Sequence, residues 1–255
     1  MLQIEFAPLN QMAEQIFQQP KTCRALIERS MPEQCLAAWG KHPFAVVQPD
    51  AGFVVAAERT LGPLPATVKA CLRGRQPISY HVKNGRLVLR ILGNEQGLAE
   101  AVGIRFMDVL VASSFGQGHW ALSYSELPPP SVRLSDRETE YLIARLDLPI
   151  PVAEGILSIE DAEPYIAQAV LAEQLNMAAM QDDPGEALHY LEANRVFVRC
   201  SRGEAQYAGD ADANIRLVQY TGVRFSANIE TDGYVSIGRG VTRGNGMLFA
   251  AAELR

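Results

Sequence analysis

Cysteine and histidine are scarce in this chain, four of each in 255 residues, and they are not spaced to hold a metal. Cys23, Cys35 and His42 form the one loose cluster, with no Cys-x-x-Cys or His-x-x-x-His pair to bring two zinc ligands together. His-Glu-x-x-His, the Walker-type glycine loop and a strand-linked Gly-x-Gly-x-x-Gly are all missing, which removes the zincin, P-loop and dinucleotide-binding classes. Long apolar runs are missing too. The stretch Phe106 to Ser125 is interrupted by Asp108 and is too polar to span a bilayer, so no membrane partner is expected. Met1 to Phe6 shows no basic region followed by an apolar core, and with so few cysteines the expected location is the cytoplasm. Lysine occurs only at Lys21, Lys41, Lys69 and Lys83; the preference for arginine fits a GC-rich bacterial coding bias as well as any chemistry.

What is present describes an ordinary globular protein. Hydrophobic residues make up 48% and charged residues 20%, enough for a sizeable core in one large or two ordinary domains. The net charge is −6, which argues against nucleic acid as a general partner. The charge is uneven, however. Asp136 to Glu192 holds thirteen acids against Arg137 and Arg145, whereas from Arg195 onward eight arginines face six acids. Two solvated faces would explain this asymmetry; so would a basic sheet that meets the acidic helices or an anionic ligand.

Periodicity is clearest in the last sixty residues or so. Val223, Phe225, Ala227 and Ile229 alternate with Arg224, Ser226, Asn228 and Glu230, the period of a half-buried strand. Asp232-Gly233 and Asn245-Gly246 are two-residue turn signals, because tight hairpin turns need positive φ at their centre. Upstream, Gln11 to Phe17, Thr22 to Trp39 and Glu95 to Val102 read as helices. Phe44 to Val47 with Phe53 to Ala56, and Ile78 to Val82 with Arg86 to Leu92, read as hairpins; Ile104 to Ala112 and His119 to Tyr124 read as strands. Pro128-Pro129-Pro130 stiffens the chain and gives no ladder donors, which marks a boundary. Beyond it, Asp136 to Leu146, Ile159 to Met180 and Glu186 to Ala193 read as helices, the second opened by a capping box at Ser158 and Asp161. The expected architecture is therefore α+β. An N-terminal α+β domain spans 1–127, and a proline-rich linker joins it to a C-terminal helical segment and antiparallel β-meander at 131–255. A duplication of the two halves is conceivable, without a shared motif at matching positions.

Three stretches invite a chemical reading. Arg239-Gly240-Val241-Thr242-Arg243-Gly244-Asn245-Gly246-Met247 would form a phosphate cradle if a helix began at Met247. Arg239 and Arg243 would supply charge, and Gly244 and Gly246 backbone N–H groups. This run is similar to the pyrophosphate loop of the Gcn5-related N-acetyltransferases. The resemblance implies acyl-CoA as a cofactor bound by Arg239, Arg243, Gly244 and Gly246. That family carries further strands and a helix after the loop, and the alternative is a plain hairpin turn joining Val235–Val241 to Met247–Leu254. Ser114 and His119 flank a Gly-x-Gly turn, where a nucleophile and its base could meet, or where two strands simply reverse. Gly209 to Asn214 begins like a calcium loop, but Ile215 stands where the glycine belongs and Thr221 where the bidentate glutamate belongs.

No spacing fixes a catalytic set. The expected function is a protein-binding adaptor or regulatory module without catalysis of its own, using its acidic helices or a sheet edge to engage a protein partner. A transferase holding acyl-CoA or another phosphate-bearing cofactor at Arg239–Gly246 is the alternative, and a small-ligand sensor the third.

Overall fold

A computed structural model describes residues 2–17, 20–30, 50–72, 78–83, 85–91, 96–113, 118–126, 130–179, 181, 183–233, 235–241 and 245–254. In chain order the first elements are β1 (Leu2–Pro8), α1 (Gln11–Phe17), α2 (Pro20–Ser30), α3 (Ala51–Leu61), α4 (Ala66–Cys71), β2 (Ile78–Lys83), β3 (Arg86–Ile91), α5 (Gln96–Ser113) and β4 (Trp120–Glu126). There follow β5 (Ser131–Pro151), α6 (Glu163–Ala178), α7 (Gly185–Ala193), β6 (Val198–Asp210), β7 (Ile215–Asp232) and β8 (Phe249–Ala250), with short 3-10 turns at Val152–Glu154 and Ala251–Leu254. The protein is α+β, built on two antiparallel sheets of four strands. It forms two compact units, one holding the described residues between 2 and 30 and between 78 and 126, the other those between 50 and 72, 130 and 241, and 245 and 254.

The first unit has strand order β2-β3-β1-β4. Ile4 and Phe6 of β1, Leu87 and Leu89 of β3 and Tyr80 of β2 form one face, closed by Leu26 and Ile27 of α2 and by Phe106 and Leu110 of α5. The rings of Phe6 and Phe106 lie 4.6 Å apart and tilted, a favourable aromatic geometry. The second unit has order β6-β7-β5-β8. Matching β5 to β8 with β1 to β4 makes the two orders the same, the β-α-β-β-α-β plan of ferredoxin-like folds. One connection differs. The first unit passes from β3 to β4 through the helix α5, and the second passes from β7 to β8 through the glycine-rich stretch around residues 235–248.

The core of the second unit follows from alternation. Tyr141, Ile143, Leu146 and Leu148 of β5 stand opposite Phe225, Val223, Tyr220 and Val218 of β7, and all are buried. Ile166, Ala169, Val170 and Leu175 of α6 cover this face. Pro164 sits in the first turn of α6, where its missing N–H costs nothing. Phe53 and Ala57 of α3, Leu64 between the helices and Val68 of α4 belong to this same core.

Several local expectations are corrected. Asp136 to Leu146 lies in strand β5, where it pairs antiparallel with β7 from Thr139 onward after a register slip between Leu134 and Thr139. The polar residues 135–138 leave the ladder there, which hides the alternation that Tyr141 and Ile143 resume. Phe53 to Ala56 lies in helix α3, where Asp50 caps the N-terminus by accepting from the Gly52 N–H at 3.0 Å. Ile104 to Ala112 continues helix α5: Gly103, Phe106 and Leu110 are buried at helical spacing while Ile104, Asp108 and Val111 are exposed. Phe44 to Val47 lies outside the described residues. Among the described residues, no helix is long and apolar enough to cross a membrane.

Candidate functional site

The glycine-rich connection is held against the middle of β5 by backbone pairing. Arg239 N–H donates to the Asp147 carbonyl at 2.8 Å, and Gly246 N–H donates to the Arg145 carbonyl. Its two arms also pair with each other. Ile237 N–H donates to the Gly246 carbonyl and Leu248 N–H to the Val235 carbonyl, both at 2.9 Å, and Ser236 bridges Met247.

Three glycines make this approach possible. Gly238, Gly240 and Gly246 have φ of +79°, +71° and +73°, the left-handed region that other L-residues enter at a cost. Each also lacks room for a Cβ. A methyl group would stand 1.8 Å from the Ile237 carbonyl oxygen at Gly246 and 2.6 Å from the Asp147 carbonyl oxygen at Gly238.

Beneath the turn lies a hydrogen-bonded row of side chains. Asp147, only 9% exposed, accepts from Gln219 Nε2 on one carboxylate oxygen and from Asn245 Nδ2 on the other, each at 2.8 Å. Gln206 of β6 donates in turn to Gln219 Oε1. The row therefore crosses β6, β7 and β5 and ends in the turn, with Arg145 Nε 3.5 Å from the same carboxylate. A buried carboxylate would be costly alone; here amide donors meet it from two sides.

Two arginines border the turn. Arg145 is about half exposed, at 51% of its side chain. Arg239 is exposed and steadied by donating from Nη1 to the Ala70 carbonyl at 2.8 Å, near the C-terminal end of α4, where carbonyls lack helical partners. Two guanidinium groups, Arg145 held by Asp147 and Arg239 held by the Ala70 carbonyl, suit a phosphate group better than an apolar or cationic ligand.

This geometry differs from the cradle predicted on sequence. Met247 starts no α-helix, and Gly246 spends its N–H on Arg145. Arg239 and Gly246 are brought to one turn; Arg243 and Gly244 lie outside the described residues, as do Cys35, His42 and Ser114. His119 is exposed. The Gly209–Asn214 stretch is a hairpin end closed by Asp212, whose Oδ1 accepts from the N–H groups of Asn214 and Ile215 at 2.8 and 2.9 Å. Among the described residues, no group of three or more His, Cys, Asp and Glu side chains could hold a metal ion. Sequence reasoning missed Asp147, Gln219 and Gly238, and gave Gly240 no role within its run. Gly238 and Gly240 repeat the two-residue spacing of Gly244 and Gly246, a visible signal; Asp147 becomes apparent only once the strands are in register.

No protein-family model matches the sequence, and no curated protein matches it. Solved structures do resemble the fold. Csf5, a CRISPR-Cas type IV Cas6 crRNA endonuclease, shares 15% identity over 98% of both chains with a TM-score of 0.52. A Cas6b structure shares 12% identity over 98% of both chains with a TM-score of 0.40. The CRISPR endoribonuclease Cse3 bound to a 19-nucleotide RNA shares 10% over 98% of both chains with a TM-score of 0.38. The likeness to Csf5 corrects three expectations at once: the protein-binding adaptor, the acyl-CoA transferase, and the exclusion of nucleic acid. The physical reasons lie in the structure. A hairpin arm stands where the acyl-CoA reading required a helix, and a net charge summed over the chain conceals how its arginines are arranged.

Proposed function

We propose that this chain is an endoribonuclease that binds and cuts a CRISPR RNA precursor, with the pinned glycine turn as part of its RNA-binding site. The carrying observation is the likeness of its fold to Csf5 along 98% of both chains, embracing both four-stranded units. The turn supports the reading independently. RNA brings its own nucleophile, the 2′-hydroxyl next to each phosphodiester, so a nuclease of this kind needs chiefly to align that hydroxyl and stabilise charge on the phosphate. Attack of the 2′-oxygen on phosphorus forms one P–O bond and breaks the bond to the 5′-oxygen, which leaves with a proton. The products are a 2′,3′-cyclic phosphate and a 5′-hydroxyl end. Arg145 and Arg239, set by Asp147 and Ala70, are the groups we assign to holding phosphate. The cytoplasm, where transcripts accumulate, is the compartment this reading requires.

The test is cleavage of end-labelled repeat RNAs that fold into a hairpin. The expected result is a cut at one phosphodiester, abolished by a single 2′-deoxy substitution on its 5′ side. Arg239→Ala and Arg145→Ala should each slow it by roughly ten- to a hundred-fold, in the range of lost transition-state donors. Intact RNA after prolonged incubation with every repeat tried, or cleavage indifferent to the 2′-deoxy substitution, overturns the proposal.

A further inference from the structure

The sheet of the second unit has a polar face opposite its core, and the part of it around residues 195–202 is basic in an acidic chain. Strand register defines it. Arg199 of β6 stands opposite Ser226 of β7, and Arg202 opposite Arg224; Arg133 of β5 stands opposite Glu230, Glu140 opposite Ser226 and Leu142 opposite Arg224. Just before β6 the same alternation continues. Val196 and Val198 pack on the core, so Arg195, Phe197 and Arg199 point the other way, and all three are exposed.

The backbone there is fixed by one side chain. Asn228 Oδ1 accepts from the Phe197 N–H at 2.7 Å, and Asn228 Nδ2 donates to the Arg195 carbonyl at 3.0 Å. Phe197 is thus held outward with 68% of its surface exposed. Five arginines (133, 195, 199, 202 and 224) share the face with four acids. Glu140 pairs with Arg224 at 3.5 Å and Glu230 accepts from Ser135 Oγ at 2.9 Å, while Glu204 and Asp232 stand opposite Thr221 and Ser131. In a chain of net charge −6, three arginines and no acid within the eight residues 195–202, around one presented aromatic ring, are not an average surface. A single exposed phenylalanine is common; one fixed by Asn228 and flanked two residues away on each side by arginine has the make-up of a platform for unpaired nucleotides.

We infer that this face binds single-stranded RNA, with a base stacked on Phe197 and the adjoining phosphates held by Arg195, Arg199 and Arg202. The inference rests on the RNA reading above and adds a second contact to it, for an unpaired flank of the precursor. Phosphates meet the guanidinium groups through charge-assisted hydrogen bonds, while the ring face accepts any base. This platform gives affinity without sequence readout.

The test compares two labelled RNAs by fluorescence anisotropy: a blunt hairpin, and the same hairpin with an unpaired flank of roughly ten nucleotides on each side. Wild-type protein should bind the flanked RNA more tightly. Phe197→Ala should weaken flanked binding by about ten-fold, in keeping with a lost base stack, and leave the blunt hairpin unchanged. Phe197→Trp should restore it. Arg199→Gln with Arg202→Gln should lower the slope of log affinity against log salt by about 1.4, at about 0.7 per phosphate contact on single strands. Flanked binding unaffected by Phe197→Ala and by the double arginine variant, with cleavage by wild type intact, overturns the platform and spares the nuclease. Failure of wild-type protein to bind either RNA overturns both.

Discussion

Replacing Gly246 by alanine separates two reasons for a glycine, and Gly222 supplies the reference. Both have positive φ, +73° at Gly246 and +60° at Gly222. Nothing lies within 4 Å of a Cβ built at Gly222, whereas at Gly246 that atom would stand 1.8 Å from the Ile237 carbonyl oxygen. Gly222→Ala therefore carries left-handed strain alone, about 1–2 kcal/mol. Gly246→Ala adds the separation of the two hairpin arms, and with it the bonds from Ile237 N–H to the Gly246 carbonyl and from Gly246 N–H to the Arg145 carbonyl. At about 1 kcal/mol each, the total becomes about 3–4 kcal/mol. For a chain of this length, with about 2–4 °C per kcal/mol, Tm should fall by about 6–16 °C against about 2–8 °C for the reference. Thermal melts followed by circular dichroism measure both, and repeat-RNA cleavage measured below either transition should drop for Gly246→Ala only. Equal Tm shifts in the two variants, or full cleavage by Gly246→Ala, would refute the account of a turn held by close backbone approach.

Two further outcomes follow from the second core. Tyr141→Phe removes the Tyr141 Oη donor to the buried Ile229 carbonyl at 2.9 Å; urea unfolding should show a loss of about 1–2 kcal/mol with an unchanged m-value. Burial, followed by the charges of Glu163 and Glu160, pushes the Cys200 thiol up to about 12, so the unfolded chain releases this proton first. The stability it confers is complete below about pH 8.5, the unfolded value, and is lost as pH rises toward about 12. Cys200→Ala should flatten the fall in unfolding free energy over that alkaline window, and mass-mapped alkylation near pH 8 should leave Cys200 unlabelled until denaturant is added; labelling of the native protein at the unfolded rate would contradict the burial.

Local signals carried well where a single strand or helix decides its own state. The alternation from Val223 to Ile229 is β7, with all four apolar residues buried. Gly233 takes the positive φ that its turn predicts, and the 78–91 region forms the antiparallel pair β2–β3. Signals failed where the decision is made elsewhere in the chain. Residues 135–138 look helical because they are polar and bulged, and the strand is specified by β7, some eighty residues later. Ile104 to Ala112 is apolar enough for either state, and the neighbours that settle it are Ile4 and Phe6 on β1 together with Leu26 and Ile27 on α2. The candidate site was half visible for the same reason. Arg239 and Gly246 lie in one conspicuous run, but the backbone carbonyls that hold them belong to Asp147 and Arg145, over ninety positions upstream, and the Asp147 carboxylate is unremarkable until Gln219 and Asn245 are seen to donate to it.

The repeated strand order shows what differs at the corresponding connection of the two units. In the first unit the connection from β3 to β4 is α5, whose Phe106 and Leu110 are needed to close the core. In the second unit α6, α3 and α4 cover much of the core face, and the connection from β7 to β8 adds only Val235, Ile237 and Leu248 to it while its backbone pairs with β5. A helix there would satisfy its own N–H and C=O groups and present side chains. The glycine turn instead brings main chain within hydrogen-bonding distance of β5 and leaves the polar row from Gln206 to Asn245 to hold it. The connection thus serves the core through Val235, Ile237 and Leu248 and the polar row through Asn245. The core side stays apolar, while Arg195, Arg199 and Arg202 beside and on β6 and Arg224 on β7 stand on the polar face.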